Sequence, residues 1–467
     1  MLKQKQGSNI TSGNLFKGIV TYAIPLFLSA LVQNLFTAAD TAVVGNFADG
    51  IAVASIGAGK PVISLLIDGF VGFASGMSII IAREVGADNK EAVKKSVDTA
   101  MIFAAVLGLV ITVFAVMLAV PILNRMNCPE ECFNSAVLYM KLYILGTPAM
   151  MIYNFAAAII RAEGDSARPL VYIIISGIVN VATNIILCLI LPDKVAAVAI
   201  ATVFSQALSA ILSVARLATK KDGICCLSFR SIRFCGRSLS QIVRYGIPLT
   251  VAQVVYPLAN MQIQPAINSY GAANLAGATA ASSLDGLTNC LHNAFGTTCV
   301  TFVSQNLGAK NRKRVEKTIL ICTACSFVSG LVLGLGTTYG FAEELLGLFL
   351  PGETESIWYG FKRMQYVNAF MWISAINGCV AGSLQAFGYP AFITLNGVVS
   401  VLGFRILWMN VFYAKNPNID MLYVCYTISW SLRLLINLIL FAFVFRKYRR
   451  REIQREQQEL GKGIITE

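Results

Sequence analysis

The fold of this chain is decided by apolar stretches such as residues 97–120, which read VDTAMIFAAVLGLVITVFAVMLAV. This stretch is long enough to cross a hydrocarbon layer about 30 Å thick, and its one charged side chain is Asp98. Because lipid offers no hydrogen-bonding partner to the backbone, the stretch must be a helix or a strand of a closed barrel. Its apolar residues are continuous rather than alternating, which indicates a helix.

Twelve stretches of this kind follow one another along the chain and predict an all-α integral membrane protein. The predicted spans are residues 19–44, 51–81, 97–120, 135–160, 169–191, 195–217, 241–268, 276–303, 318–340, 358–384, 391–414 and 421–445. The composition agrees, since 56% of the 467 residues are apolar and 13% are charged, about half the charged fraction of an ordinary soluble protein. The polar start, Met1 to Lys17, carries no sign of a cleavable signal peptide, so we expect the helices to direct insertion.

The net charge of +13 is explained by topology. If the N-terminus is cytoplasmic, 28 of the 37 basic residues lie on that side and six on the other. This asymmetry predicts that both termini are cytoplasmic and that the chain lies in the cell (cytoplasmic) membrane. Because the basic residues serve topology and contact with anionic lipids, no nucleic-acid partner is expected.

Short motifs recur at offsets of 222 to 224 residues, which predicts an internal repeat. The pairs are Ile24-Pro25-Leu26 with Ile247-Pro248-Leu249, Arg83–Lys90 with Gln305–Arg312, and Arg161–Gly164 with Gln385–Gly388. Each half holds six spans, an even number, so both halves enter the membrane from the same side. We therefore predict two six-helix bundles related by a pseudo-two-fold axis along the membrane normal.

The repeat divides the chain into four parts. We predict an N-terminal bundle at 1–217, a basic cytoplasmic linker at 218–240, a C-terminal bundle at 241–446 and a basic cytoplasmic tail at 447–467. Two such bundles can rock about a central cleft, with a binding site between or within them.

The order and spacing of the motifs over nearly the whole chain resemble the multidrug and toxic compound extrusion (MATE) family. The resemblance is carried by Ile24-Pro25-Leu26, Asp40, Val44-Gly45, Gly86-Ala87, Arg161–Asp165, Pro169, Ala199–Gln206 and Ser304–Ala309. It implies a secondary antiporter for multidrug efflux, which exports lipophilic or cationic compounds in exchange for protons or sodium ions. The second half is similar to the DNA-damage-inducible and multi-antimicrobial extrusion branches. It departs from the branch with acidic residues in the seventh and tenth helices, because Gln253 and Tyr389 stand where that branch has Glu and Asp.

Asp40 is the predicted cation-coupling residue. It lies toward the outer leaflet, about 30 Å along the first span, where an ionised carboxylate costs about 2.5–3.5 kcal/mol unless it lines a cavity or is protonated. Asn180, Asn184 and Thr202 offer further oxygen ligands, and the two asparagines, four residues apart, share one helix face. Hydrogen bonding between helices is an equally open role for this asparagine pair.

The coupling ion is expected to be a proton rather than sodium. The family pattern has Asp at the position of Asn184, and its replacement by Asn removes one negative charge. Sodium at Asp40, Asn180 and Thr202 stays the second possibility.

Other polar residues within spans are candidates for the substrate cavity. Asp285 and His292, seven residues apart, share a helix face, and His292 is the single histidine of the chain. Aromatic rings can stack on flat cations. The candidates are Gln33, Asp68, Gln253, Tyr256, Asp285 and His292.

Several functions are excluded by what the chain lacks. It has no P-loop and no spaced metal-ligand cluster, so we expect no ATPase, no enzyme, no cofactor and no resident metal. A flippase for lipid-linked oligosaccharides is an alternative, but it needs several cations in the cavity, and only Arg405 and Arg433 are embedded. For both arginines, snorkelling or structural pairing is favoured over binding of an anionic group. Export of a specific metabolite is a further alternative, and we expect a monomer.

Cys128 and Cys132 flank Pro-Glu-Glu in an outward-facing loop. They could form a disulfide if that compartment is oxidising, and the sequence leaves their pairing open.

Overall fold

The computed structural model describes residues 10–47, 50–126, 128–219, 224–228 and 231–464. Within this part the secondary structure is helical, and no strand occurs. The side chains of a few helical residues, Asp40 among them, lie outside the description.

The α-helices are long and follow one another with short connections. They are α1 (Leu15–Phe47), α2 (Gly50–Gly86), α3 (Lys90–Arg125), α4 (Glu130–Leu145), α5 (Thr147–Ala162), α6 (Ala167–Ile190), α7 (Lys194–Thr219), α8 (Gly236–Met261), α9 (Gln264–Ser269), α10 (Gly271–Gly308), α11 (Arg312–Leu335), α12 (Ala342–Gly347), α13 (Thr354–Tyr366), α14 (Met371–Phe387), α15 (Pro390–Gly397), α16 (Phe404–Leu407) and α17 (Ile419–Ile464). Turns with π-helical hydrogen bonds follow α11, α15 and α16, at Gly336–Gly340, Val398–Gly403 and Trp408–Tyr413.

The spans agree with the sequence prediction. Among the described residues, ten helical stretches are long and apolar enough to cross a membrane, and α4 with α5, joined at 43°, makes an eleventh. The remaining predicted span falls within α10, which is 38 residues long but rich in small and polar residues. The prediction of an all-α membrane protein with twelve spans is confirmed.

The chain forms two compact units. Unit 1 contains Ile24–Gln253, and unit 2 contains Ile10–Ala23 together with Val254–Glu467. The chain therefore passes between units inside α1, next to Pro25, and inside α8, five residues after Pro248. The repeated Ile-Pro-Leu motif lies near both crossings, where proline removes a backbone donor from the helix.

The core of unit 1 lies between α2, α3 and α5, where Met77, Val97 and Phe155 are fully buried. The first part of α8 packs against α2 at two glycines. A Cβ at Gly72 would lie 2.4 Å from the Cα of Thr250, and one at Gly76 would lie 2.7 Å from the backbone nitrogen of Gly246. These glycines therefore allow the two backbones to approach closely.

The described part of the predicted linker is held on the start of α3. The backbone nitrogens of Arg233 and Cys235 donate to Asp98 Oδ2 (3.2 Å) and Thr99 Oγ1 (3.0 Å). The pKa of the Cys235 thiol is lowered, because the backbone N–H and the hydroxyl of Ser238 hydrogen-bond to the sulfur. The segment is thus ordered by polar contacts within unit 1 before α8 begins.

Unit 2 has a core of large side chains from α14, α16, α17 and neighbouring turns, including Met371, Trp408 and Tyr423. Its N-terminal segment is tied down in the same way as the linker in unit 1. The guanidinium of Arg314 donates to the carbonyl oxygens of Ile10, Ser12 and Gly13 at 2.9 to 3.0 Å. Both segments that lead into the Ile-Pro-Leu helices are therefore fixed by polar contacts.

Cys128 and Cys132 are free thiols in this structure, with their sulfur atoms 3.9 Å apart. The possible disulfide between them is not present.

Candidate functional site

The predicted coupling residues of unit 1 lie on two helices that pack together, α6 and α7. Asn180 and Asn184 are both buried in α6. The side-chain nitrogen of Asn180 donates to Ser205 Oγ (3.2 Å), while its buried Oδ1 has no hydrogen-bond partner among the described atoms. The Thr202 hydroxyl donates to Val198 O in its own helix (2.9 Å), which leaves its oxygen lone pairs available.

The helix that carries Asp40 contacts α6 close to these asparagines. A Cβ at Gly177 would lie 1.9 Å from the ring of Phe36, so α1 and α6 meet where α6 has no side chain. As the first and fifth spans, α1 and α6 cross the membrane in the same direction. Asp40, one turn beyond Phe36, is thus placed on the part of α1 that is level with Asn180 and Asn184. Its side chain lies outside the described residues, and its role stays a prediction.

The cavity candidates are divided between the units. Gln33, Asp68 and Gln253 belong to unit 1, where Asp68 is partly exposed and the two glutamines are exposed. Tyr256, Asp285 and His292 belong to unit 2.

Asp285 is neutralised within unit 2. Its Oδ2 lies 2.5 Å from Nη2 of Arg363, and the two side chains are 10% and 8% exposed. His292, two turns further along α10, is buried, and neither ring nitrogen has a hydrogen-bond partner among the described atoms. Its Nε2 lies 3.0 Å from where a Cβ on Gly330 would be.

The two embedded arginines, Arg405 and Arg433, lie outside the predicted set of cavity candidates. Both are deeply buried, at 1% and 6% exposure, so neither side chain snorkels. Among the described residues neither forms an ion pair with a carboxylate, although an arginine at the centre of a span costs about 2.5–3.5 kcal/mol. The signal in the sequence that could identify both arginines is a charged residue within an apolar stretch.

The contacts of these two arginines are polar and aromatic. Arg405 donates from Nη1 to Asn260 Oδ1 (2.7 Å) and from Nε to Ser429 Oγ (3.3 Å), with its guanidinium 4.2 Å from the ring centre of Tyr426. Arg433 donates from Nη1 to the Tyr256 hydroxyl and lies 4.9 Å from the centre of that ring. The Nε of Arg433 is buried without a partner among the described atoms.

Two repeated helical halves with polar groups inside apolar helices are typical of membrane transporters. The MatE family model matches residues 25–186 and 248–409, two stretches that begin 223 residues apart, as the repeat predicts. The matches cover more than half of the chain. The chain belongs to the MATE family of multidrug efflux transporters.

Known proteins similar to the chain carry transporter names. A probable multidrug resistance protein of Bacillus subtilis, YoeA, is 23% identical over 93% of this chain and 95% of its own. A protein of Shewanella oneidensis named FAD transporter is 21% identical over 77% of this chain and 79% of its own.

Solved structures share the fold at low sequence identity. A crystal structure of MATE in the bent conformation has a TM-score of 0.89 at 19% identity and covers 97% of this chain and 100% of its own. A transporter of the MOP superfamily from Pyrococcus furiosus, described as having a binding pocket of reverse polarity, has a TM-score of 0.85 at 20% identity and covers 95% of this chain and 98% of its own.

Proposed function

We propose that this chain is a secondary antiporter of the cell membrane. It exports lipophilic small molecules, organic cations among them, in exchange for protons or sodium ions by alternating access. The names of several relatives, among them YoeA and the MepA export protein of Staphylococcus haemolyticus, support multidrug efflux. The chain acts as a monomer among membrane lipids, with both termini in the cytoplasm.

The observation that carries the coupling proposal is the buried Oδ1 of Asn180, which accepts no hydrogen bond from a described atom. A buried acceptor without a donor is costly, and a bound cation or a protonated carboxyl group would satisfy it. Asp40, one turn beyond the contact of α1 with α6, supplies the titratable group. Proton and cationic substrate then compete for one carboxylate, so binding of either favours release of the other.

The proton is the favoured coupling ion. A sodium site needs several oxygen ligands and enough negative charge, and Asn184 is neutral where the family pattern has Asp. Proteoliposomes loaded with ethidium and given either a pH gradient or a sodium gradient separate the two ions. Efflux that follows only the sodium gradient would contradict proton coupling.

Asp40→Asn tests the coupling residue. We expect this variant to be produced and folded normally but to lose efflux in both gradients, because an amide does not take up a proton near pH 7. Asp88→Asn is the matched control, since Asp88 lies in an exposed turn with φ +53°, a conformation that Asn tolerates. Near-normal transport by Asp40→Asn would remove the proposed coupling site.

A lipid-linked oligosaccharide flippase is the second candidate, because its pyrophosphate cargo would need embedded cations and unit 2 buries Arg405 and Arg433. Lipid-linked sugar precursors that accumulate in a deletion strain would favour this candidate over drug efflux.

A further inference from the structure

Arg405 and Arg433 place two positive charges between the same pair of helices. Arg405 contacts Asn260 of α8 and Ser429 of α17. Arg433, four residues after Ser429, contacts Tyr256, four residues before Asn260. The two guanidiniums therefore contact side chains that lie one helical turn apart on α8.

The embedded carboxylates described in unit 2 do not balance these charges. Asp285 is paired with Arg363 at 2.5 Å. Asp420, at the start of α17, accepts from Tyr366 (3.0 Å) and lies 3.4 Å from the Lys362 ammonium. A buried charge is normally paired or hydrogen-bonded through all its polar atoms, and Arg433 Nε has no partner among the described atoms. No carboxylate among the described residues of unit 2 therefore balances the charges of Arg405 and Arg433.

The surroundings suit an aromatic or lipophilic anion. The rings of Tyr256 and Tyr426 lie against the two guanidiniums. Asn260, the partner of Arg405, is exposed on unit 2, so its amide links the buried guanidinium to the surface of that unit. Arg405 also lies on the single α-turn between two π-helical segments, an irregularity that is frequent at functional sites.

We propose that Arg405 and Arg433 together bind the carboxylate or phosphate group of an exported organic anion. The inference rests on the proposed export function and deepens it, because it adds an anionic class to the substrates. Guanidinium groups bind these two anions with paired hydrogen bonds. The headgroup of an anionic lipid has the same chemistry, and the experiment separates the two sources.

Binding to the purified full-length protein in a neutral detergent tests the proposal. Fluorescence anisotropy compares carboxyfluorescein, an aromatic anion, with ethidium, an aromatic cation. We expect Arg405→Gln and Arg433→Gln each to weaken carboxyfluorescein binding about tenfold to a hundredfold, with ethidium affinity changed less than about twofold. Arg446→Gln, at the exposed cytoplasmic end of the same helix, is the matched control and should bind both dyes as the wild type does.

A second measurement needs no variant and covers the case in which a glutamine variant does not fold. Inorganic pyrophosphate should displace carboxyfluorescein from the wild-type protein and leave ethidium bound. Unchanged carboxyfluorescein affinity in both folded glutamine variants, or no displacement by pyrophosphate, overturns the proposal.

Nanodiscs distinguish a substrate from a lipid. Carboxyfluorescein should bind equally in nanodiscs of phosphatidylcholine and in nanodiscs that contain phosphatidylglycerol. Loss of dye binding only with phosphatidylglycerol would assign the site to a lipid headgroup and overturn the substrate assignment. These measurements use no ion gradient, so failure of the coupling proposal at Asp40 would leave their outcome unaffected.

Discussion

The ion pair of Asp285 with Arg363 shows how a single side-chain contact joins two helices of unit 2. The sequence predicts that Asp285 is a candidate for the substrate cavity, and the structure pairs it with Arg363 at 2.5 Å in a buried setting. Only the packing of α13 against α10 brings the two side chains together. The ion pair holds α10 against α13, and each residue neutralises the charge of the other.

Breaking this pair should destabilise the protein. Asp285→Leu leaves a buried guanidinium uncompensated, which costs about 3–5 kcal/mol. The double variant Asp285→Leu with Arg363→Met should recover most of that loss, because apolar residues of similar volume replace both charges. Thermal unfolding in detergent measures the difference. A single variant as stable as the wild type would show that the pair does not hold α10 to α13.

At the scale of the element, the packing of α10 against α13 depends on the positions of the glycines in α10. A Cβ on Gly277 would meet Ser356 O at 2.2 Å and the backbone nitrogen of Gly360 at 2.6 Å, so α10 and α13 touch through their backbones. Gly286, nine residues further on, has no heavy atom within 4 Å of that position. The same residue type therefore has a packing role at one site of the helix and none at the other.

This contrast gives a matched pair of variants. Gly277→Ala should destabilise unit 2 by about 1–3 kcal/mol, because the added methyl group meets backbone atoms that cannot rotate away. Gly286→Ala should be neutral or stabilising by up to about 1 kcal/mol, since alanine favours the helix. Thermal unfolding of the two purified variants checks this. Equal stability of both would contradict the close α10–α13 contact.

At the scale of the whole molecule, the two helices that carry the Ile-Pro-Leu motif are shared between units. α1 changes unit between Ala23 and Ile24, and α8 changes between Gln253 and Val254. The repeat of the Ile-Pro-Leu motif is visible in the sequence, but the crossing of units is not, because it depends on long-range contacts of the two leading segments. Arg314 and Asp98 make those contacts on opposite halves of the chain.

The charge distribution predicts the orientation of the whole chain. A green fluorescent protein fused after Glu467 should fluoresce, and alkaline phosphatase at the same point should be inactive, because basic loops are retained in the cytoplasm. Phosphatase fused after Lys415, in the loop before α17, should be active. Active phosphatase after Glu467 would reverse the proposed topology.

The sequence by itself determined the helical class, the number of spans and the repeat. Lipid forces every backbone group into hydrogen bonds within the protein, and the continuous apolar stretches indicate helices rather than barrel strands. The sequence also singled out Asp40, Asn180 and Asp285 as embedded polar residues. Tertiary structure alone decided which charges are compensated. Asp285 forms an ion pair with Arg363, whereas Arg405 and Arg433 contact amides, hydroxyls and aromatic rings. Such pairing depends on side chains from helices far apart in the sequence, and no local pattern records it.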